Sequence, residues 1–285
     1  MADVPFNDVA NLPYKTPTES ISYGPDPLQT AEYWNTASGD GDATSSSTTS
    51  AKAPLVLLIH GGCWLNTYNK DHIRPLATAL VASGLAVFSV EYRRVGDPGG
   101  GWPGTFDDLS CALDTALKLN HSATIAVGHS AGGHLALWLA ARSDTQLTGV
   151  IGLAAISDLV LYAKGTSDCE KATLQLMGGS PELYPDRYRA ASPLLMASTA
   201  PTLLLHGSHD KVVNIQQSTQ LVERLAKQST QQSVRHSVGH SVKHSIKPQP
   251  QARLHVLAGS GHFDLIDPRQ AVPDIIADQI QLWLK

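Results

Sequence analysis

Runs of wholly apolar, β-prone residues recur along this chain, each followed by a stretch of helical character. Leu55-Val56-Leu57-Leu58-Ile59 and Thr202-Leu203-Leu204-Leu205 show no polar alternation. A strand apolar at nearly every position must be covered on both faces, as a parallel strand between layers of helices is. Strand-like Pro54 to Ile59 leads to a helix near Asp71 to Ser83, and Leu85 to Val90 to a helix near Thr105 to Leu119. Thr124 to Val127 leads to a helix from Ala131 to Arg142, and Gly149 to Ile156 to a mixed region, Asp158 to Pro193. Pro201 to Leu205 leads to a helix near Ile215 to Lys227, and Arg253 to Leu257 to a last helix, Pro268 to Leu284. Two shorter runs, Ser20 to Tyr23 and Gln29 to Tyr33, joined by Gly-Pro-Asp-Pro, read as a hairpin ahead of these. The predicted class is α/β: a doubly wound, mostly parallel eight-stranded sheet, a hairpin first and six parallel strands after.

The 285 residues suit one domain, 1–285, in which 37–52 is a flexible loop rich in Ser, Thr, Gly and Asp. Residues 158–193, between the sixth and seventh strands, form a small cap, and 229–250 a low-complexity His/Ser/Val insertion. Hydrophobic content of 42% with 16% charged residues describes a globular protein with a good core, and a net charge of −4 offers no basic surface for nucleic acid or an anionic membrane. The acidic, polar start, Met1 to Asp8, has no secretory-signal character. No apolar run reaches the roughly 18 residues that span a bilayer. Cys63, Cys111 and Cys169 are an odd, sparse set that fits a reducing compartment better than a disulfide framework, so a cytoplasmic location is expected.

Within this order, Gly128-His129-Ser130-Ala131-Gly132 falls between the strand Thr124 to Val127 and the helix that follows. That is the strand–turn–helix setting of a nucleophile elbow, where small neighbours permit a sharp turn that exposes the serine hydroxyl. Such a pentapeptide also occurs in ordinary tight turns, so the other strand ends decide its meaning. Ligands bind at the carboxyl ends of parallel strands. There the chain carries His60-Gly61-Gly62-Cys63-Trp64 after the third strand, Ser130 after the fifth, Asp210 after the seventh and His262 after the eighth.

The order Ser, Asp, His is that of α/β-hydrolases. A serine hydroxyl needs an adjacent base, which His262 supplies near neutral pH, and Asp210 fixes its tautomer and stabilises the imidazolium. The glycines after the third strand let the N–H groups of Gly62 and Cys63 face a developing oxyanion, with the N–H of Ala131 as third donor. His129 and His134 orient neighbouring backbone. Asp158 is the weaker candidate acid, since the Asp210 loop lies beside the strand bearing His262. Trp64, Trp102, Tyr162 and Phe263 flank these loops and are candidate substrate-binding residues, Trp64 foremost; packing is the competing reading for each. Cys63 is either a small residue in a crowded loop or an alkylatable thiol. His236, His240 and His244 recur with period four, a metal-ligand spacing on a helix. Gly239 and the prolines at 248 and 250 favour a repeat-expanded surface loop instead, so no metal site is predicted there.

His60-Gly61-Gly62-Cys63-Trp64 together with Gly128-His129-Ser130-Ala131-Gly132-Gly133-His134-Leu135 resembles the branch of the α/β-hydrolase fold that holds kynurenine formamidase (arylformamidase) and feruloyl-esterase-like carboxylesterases. Glu91-Tyr92-Arg93-Arg94 and Trp102-Pro103-Gly104-Thr105-Phe106-Asp107-Asp108 extend the resemblance, which covers 54–285. It implies hydrolysis of small carboxylic esters or aryl formamides by Ser130, Asp210 and His262, without metal or organic cofactor. Three functions follow: a small-substrate carboxylesterase, a kynurenine formamidase acting on N-formylkynurenine, or a catalytically silent binding protein of the same fold. The complete set of Ser, Asp and His argues against the last. Peptidase activity is disfavoured, since no propeller-like second domain gates peptides. The expected partner is a small ester or aryl-formamide substrate, with no nucleic acid and no membrane; a homodimer is compatible with the sequence.

Overall fold

The computed structural model describes residues 4–36, 52–196, 198, 200–237 and 252–285. Apart from Lys52, the predicted 37–52 loop lies outside these residues, as do His240 and His244. Eight strands form one sheet: β1 (Glu19–Ser22), β2 (Thr30–Trp34), β3 (Leu55–Ile59), β4 (Ala86–Val90), β5 (Thr124–His129), β6 (Gly149–Leu153), β7 (Thr202–Gly207) and β8 (Ala252–Leu257). Their order is β1-β2-β4-β3-β5-β6-β7-β8. β1 pairs antiparallel with β2, and β2 with β4. The other six strands run parallel, as the sequence predicts.

The unbroken apolar runs are explained by two cores. Every residue of β3, β4, β5 and β6 is buried. On one face of β3, Leu55, Leu57 and Ile59 pack with residues of α3 (Gly104–Lys118), α4 (Ala131–Ala140) and α8 (Gln216–Ser237). On the other, Val56 and Leu58 pack with α2 (Arg74–Ala82) and α9 (Val272–Trp283). Removing a side chain such as Leu57 would cost roughly 2–5 kcal/mol. α1 (Phe6–Ala10) packs beside α2.

The segment between β6 and β7 carries three helices, α5 (Leu159–Tyr162), α6 (Asp168–Met177) and α7 (Pro185–Ala191). α6 begins at a capping box, in which the Ser167 hydroxyl accepts the Glu170 N–H while the Glu170 carboxylate accepts the Ser167 N–H. It ends at Gly178, whose φ of 76° a side chain would resist.

Three expectations need correction. β6 ends at Leu153 rather than Ile156, because Ala154 turns into the left-handed region (φ 47°) while donating its N–H to Leu205 O at 2.8 Å. α8 continues through Ser237 instead of stopping near Lys227, so the start of the predicted 229–250 insertion is helical. Cys63 and Cys169 are joined in a disulfide, while Cys111 is free and exposed. Disulfides persist in oxidising surroundings, so the cysteines do not support the predicted reducing, cytoplasmic setting. Among the described residues, no helix is long and apolar enough to cross a membrane.

Candidate active site

Ser130 stands where β5 becomes α4. Its backbone is at φ 55° and ψ −119°, a conformation that costs a non-glycine residue roughly 1–3 kcal/mol. Hydrogen bonds on both sides hold it there: Ser130 N–H donates to Leu153 O at 2.8 Å, and Ser130 O accepts from His134 N–H at 3.0 Å. The flanking glycines have a steric cause. A Cβ on Gly132 would strike the carbonyl oxygens of Ile59 and His60, and one on Gly128 the carbonyl of Gly132. The turn therefore closes only with glycine at both places.

His262 and Asp210 approach from the loops after β8 and β7. Asp210 Oδ2 lies 2.7 Å from His262 Nδ1, so this ring nitrogen carries the proton and donates it to the carboxylate. Nε2 is left as the acceptor, the tautomer a general base needs. Asp210 Oδ1 accepts the N–H groups of Val212 (2.8 Å) and Val213 (2.9 Å), which fixes the carboxylate plane. Burial pushes the Asp210 pKa up, but the hydrogen bond and charge of His262 and the two backbone donors outweigh it and hold the group below its usual value. The His262 ring lies 4.5 Å, centroid to centroid, from that of His129, the residue before Ser130. His129 Nε2 donates to His262 O at 3.1 Å, joining the turn at Ser130 to the loop that bears His262. His134 Nε2 likewise donates to Ala191 O at 2.8 Å, so both histidines orient backbone, as predicted.

The loop after β3 lies against this serine. A Cβ on Gly61 would be 3.2 Å from Ser130 Cβ. Gly62, Cys63 and Trp64 all adopt positive φ, 103°, 56° and 58°. Among the described residues, the N–H groups of Gly62, Cys63 and Ala131 have no hydrogen-bond acceptor, which leaves them available to a ligand oxygen. Beneath the loop is a buried ionic cluster. His60 Nδ1 donates to Gly61 O at 2.7 Å, and Nε2 to Glu91 Oε1 at 3.0 Å. Glu91 also receives Arg94 Nη1 at 3.1 Å and the N–H of Lys70 at 3.1 Å. Burial alone would raise the Glu91 pKa, but the charges and donors of His60, Arg94 and Lys70 lower it to about 2. Tyr92 stacks on His60 at 4.5 Å and its hydroxyl donates to His60 O at 3.0 Å.

The BD-FAE family model matches residues 42–225. The chain belongs to the BD-FAE family, a family of α/β-hydrolase esterases. BD-FAE membership leaves the kynurenine formamidase branch of the resemblance without separate support. Esterase LipC of Mycobacterium tuberculosis is 25% identical over 93% of this chain, which spans 64% of LipC. YfhR of Escherichia coli K12, an uncharacterised protein, is 28% identical over 72% of each chain. Among solved structures, a hormone-sensitive lipase from a metagenome library superposes with TM-score 0.65 at 20% identity, covering 98% of this chain and 89% of its own. An acetyl ester-xyloside bifunctional hydrolase from Caldicellulosiruptor lactoaceticus gives 0.66 at 18% identity, covering 94% and 97%. At those identities the superpositions show the α/β-hydrolase fold alone.

The predicted substrate-binding residues of this BD-FAE chain separate. Trp64 is fully buried, edge-on to His134 (5.3 Å) and Tyr162 (6.2 Å), so the expectation that it walls the substrate site is corrected: its ring supports the loop from below. Trp102 is half-buried against Phe106. Phe263 packs edge-on to His262 at 5.2 Å. Tyr162 lines a cleft of about 290 Å³ with Leu161, Lys164, Gly165, Glu170, Asn214, Gln216 and Gln217, and among the described residues its buried hydroxyl has no partner. Asp158 caps α5, its Oδ1 accepting the Leu161 N–H at 3.0 Å, and takes no part in the Asp210–His262 pair. Among the described residues, no cluster of His, Cys, Asp and Glu could hold a metal ion. The role of Glu91 went unassigned in the sequence, although its place directly after β4, one step beyond the Ile59–Val90 pair and level with His60 directly after β3, was a usable signal.

Proposed function

We propose that this BD-FAE protein is a serine carboxylesterase acting on small esters through an acyl-enzyme. The observation that carries the reading is the buried 2.7 Å His262–Asp210 hydrogen bond packed against the strained elbow of Ser130. In this reading Ser130 Oγ attacks the ester carbonyl carbon while His262 Nε2 takes its proton. The C=O electron pair moves onto oxygen, which the N–H groups of Gly62, Cys63 and Ala131 receive. Collapse of the tetrahedral species breaks the ester C–O bond, and His262 returns the proton to the departing alcohol. Water repeats the sequence against the acyl-serine and frees the acid. No step calls for a metal or an organic cofactor. In this reading residues 158–193 are a small cap, and so short a cap favours short acyl groups over long lipid chains.

An aryl formamide passes through the same oxyanion, so the substrate is decided by measurement. The test is kcat/KM side by side on p-nitrophenyl acetate, methyl ferulate and N-formylkynurenine. The short ester is expected to lead. A preference above about a hundredfold for the formamide, near the upper range that pocket contacts supply, would replace the esterase reading with a formamidase one. No turnover of any of them would favour the silent binding protein.

A further inference from the structure

The Cys63–Cys169 disulfide joins two parts of the molecule that the sheet leaves unconnected. Cys63 lies on the loop after β3, and Cys169 is the second residue of α6; their Cα atoms are 4.8 Å apart across 106 residues of sequence. The far end of α6 is held to another rim loop, since Trp102 N–H donates to Leu176 O at 2.7 Å. The helix is therefore a strap, bonded by sulfur to the loop after β3 and by hydrogen bond to the loop after β4.

The strap meets the chain where it is hardest to hold. Cys63 and Trp64 follow Gly62 in left-handed conformations that side chains resist. Trp64 has two restraints of its own: its ring is fully buried, and its carbonyl accepts the Val95 N–H at 2.8 Å. Cys63 has neither. Among the described residues its N–H and carbonyl make no hydrogen bond, and its side chain is only partly buried. The sulfur bond is the fixed point of a residue that, in the serine esterase reading, supplies an oxyanion donor.

We propose that the Cys63–Cys169 disulfide is a positioning device for the oxyanion donors, so that the oxidised enzyme turns over esters faster than the reduced one. This rests on the serine esterase reading above. A dithiol reductant supplies the switch: the Cys63–Cys169 S–S bond breaks, an S–S bond forms within the dithiol, and two electrons and two protons pass to the two cysteines.

The test uses the full chain with the exposed Cys111 replaced by Ser, leaving the disulfide as its sulfur chemistry. Without denaturant, no thiol should titrate before dithiothreitol and two should titrate after. Reduction should lower kcat for p-nitrophenyl acetate about tenfold, less than the loss of a whole donor, with KM changed less than about twofold and recovery on reoxidation. Modification of Ser130 by a fluorophosphonate should slow in step, because it too builds charge on oxygen, and Cys169→Ser should behave as the reduced enzyme. The near-UV circular dichroism should stay unchanged throughout. Unchanged kcat with two free thiols would overturn the proposal, as would two titratable thiols before reduction or a rise in KM alone. Loss of the near-UV signal along with activity would also overturn it, since the bond would then hold the fold rather than the loop. If the oxidised enzyme turns over esters without labelling at Ser130, the serine reading falls and takes the positioning role with it. Ser130 labelling with redox-independent turnover refutes the positioning role alone.

Discussion

Replacing Asp210 with Asn isolates the tautomer argument, because the carboxylate is gripped at both oxygens. Oδ1 accepts two backbone N–H groups at 2.8 and 2.9 Å, and Oδ2 accepts His262 Nδ1 at 2.7 Å. In Asp210→Asn the amide oxygen keeps the two backbone donors, so the NH₂ group faces Nδ1. Donor would then oppose donor, unless His262 moves its proton to Nε2. In the proposed reaction that nitrogen accepts the Ser130 proton, so the base would be disabled while every heavy atom stays in place. A serine–histidine pair with the wrong tautomer loses roughly 10⁴ in kcat, about 5.4 kcal/mol of barrier. The assay is steady-state turnover of p-nitrophenyl acetate, with folding checked by near-UV circular dichroism. A fall of less than about tenfold in a folded variant would refute the tautomer role of Asp210.

Two further outcomes follow from buried charge. Glu91→Gln leaves the His60 ring and Arg94 beside a neutral amide in a buried site, so unfolding in urea should show a loss of roughly 3–5 kcal/mol, and an unchanged midpoint would remove Glu91 as the counter-charge under the loop. Stability should also fall with acid. Burial keeps His134 neutral down to about pH 4, and burial together with the His60 charge keeps His72 neutral down to about pH 3, whereas both take up protons near 6.5 when unfolded. Below 6.5 the unfolded chain therefore binds more protons than the folded one, and stability that is complete above that pH declines. Each histidine should cost about 2 kcal/mol between pH 6.5 and about pH 5. Urea midpoints that stay flat across that interval would contradict the burial argument.

The sheet was legible because each of its signals is local. Continuous apolar runs such as Leu55–Ile59 report that both faces are covered, and the structure puts one core on each side of β3. The candidate site was legible for a related reason: Ser130, Asp210 and His262 each follow a strand end, and a parallel sheet gathers those ends along one edge. What escaped depends on contacts distant in sequence. Nothing near Cys63 or Cys169 marks them as partners, because α6, in the segment between β6 and β7, meets the loop after β3 across 106 residues of sequence. Ala154 ends β6 through a hydrogen bond to a carbonyl on β7, which propensity does not register. Trp64 looked like a pocket residue from its place after the glycines, but φ of 58° turns its ring into the core. α8 outran its predicted end even though Ser, Thr and Val crowd 229–237, a case where local preference misplaced the boundary.

The central claim is that Ser130 is the nucleophile, and covalent trapping tests it most directly. The protein is treated with a fluorophosphonate, digested, and the modified residue located by mass spectrometry while residual p-nitrophenyl acetate turnover is followed. The account predicts modification at Ser130, activity lost in proportion to labelling, and a folded Ser130→Ala protein that is neither labelled nor active. Labelling at a different serine, or a Ser130→Ala protein that turns over ester at the original rate, would contradict it.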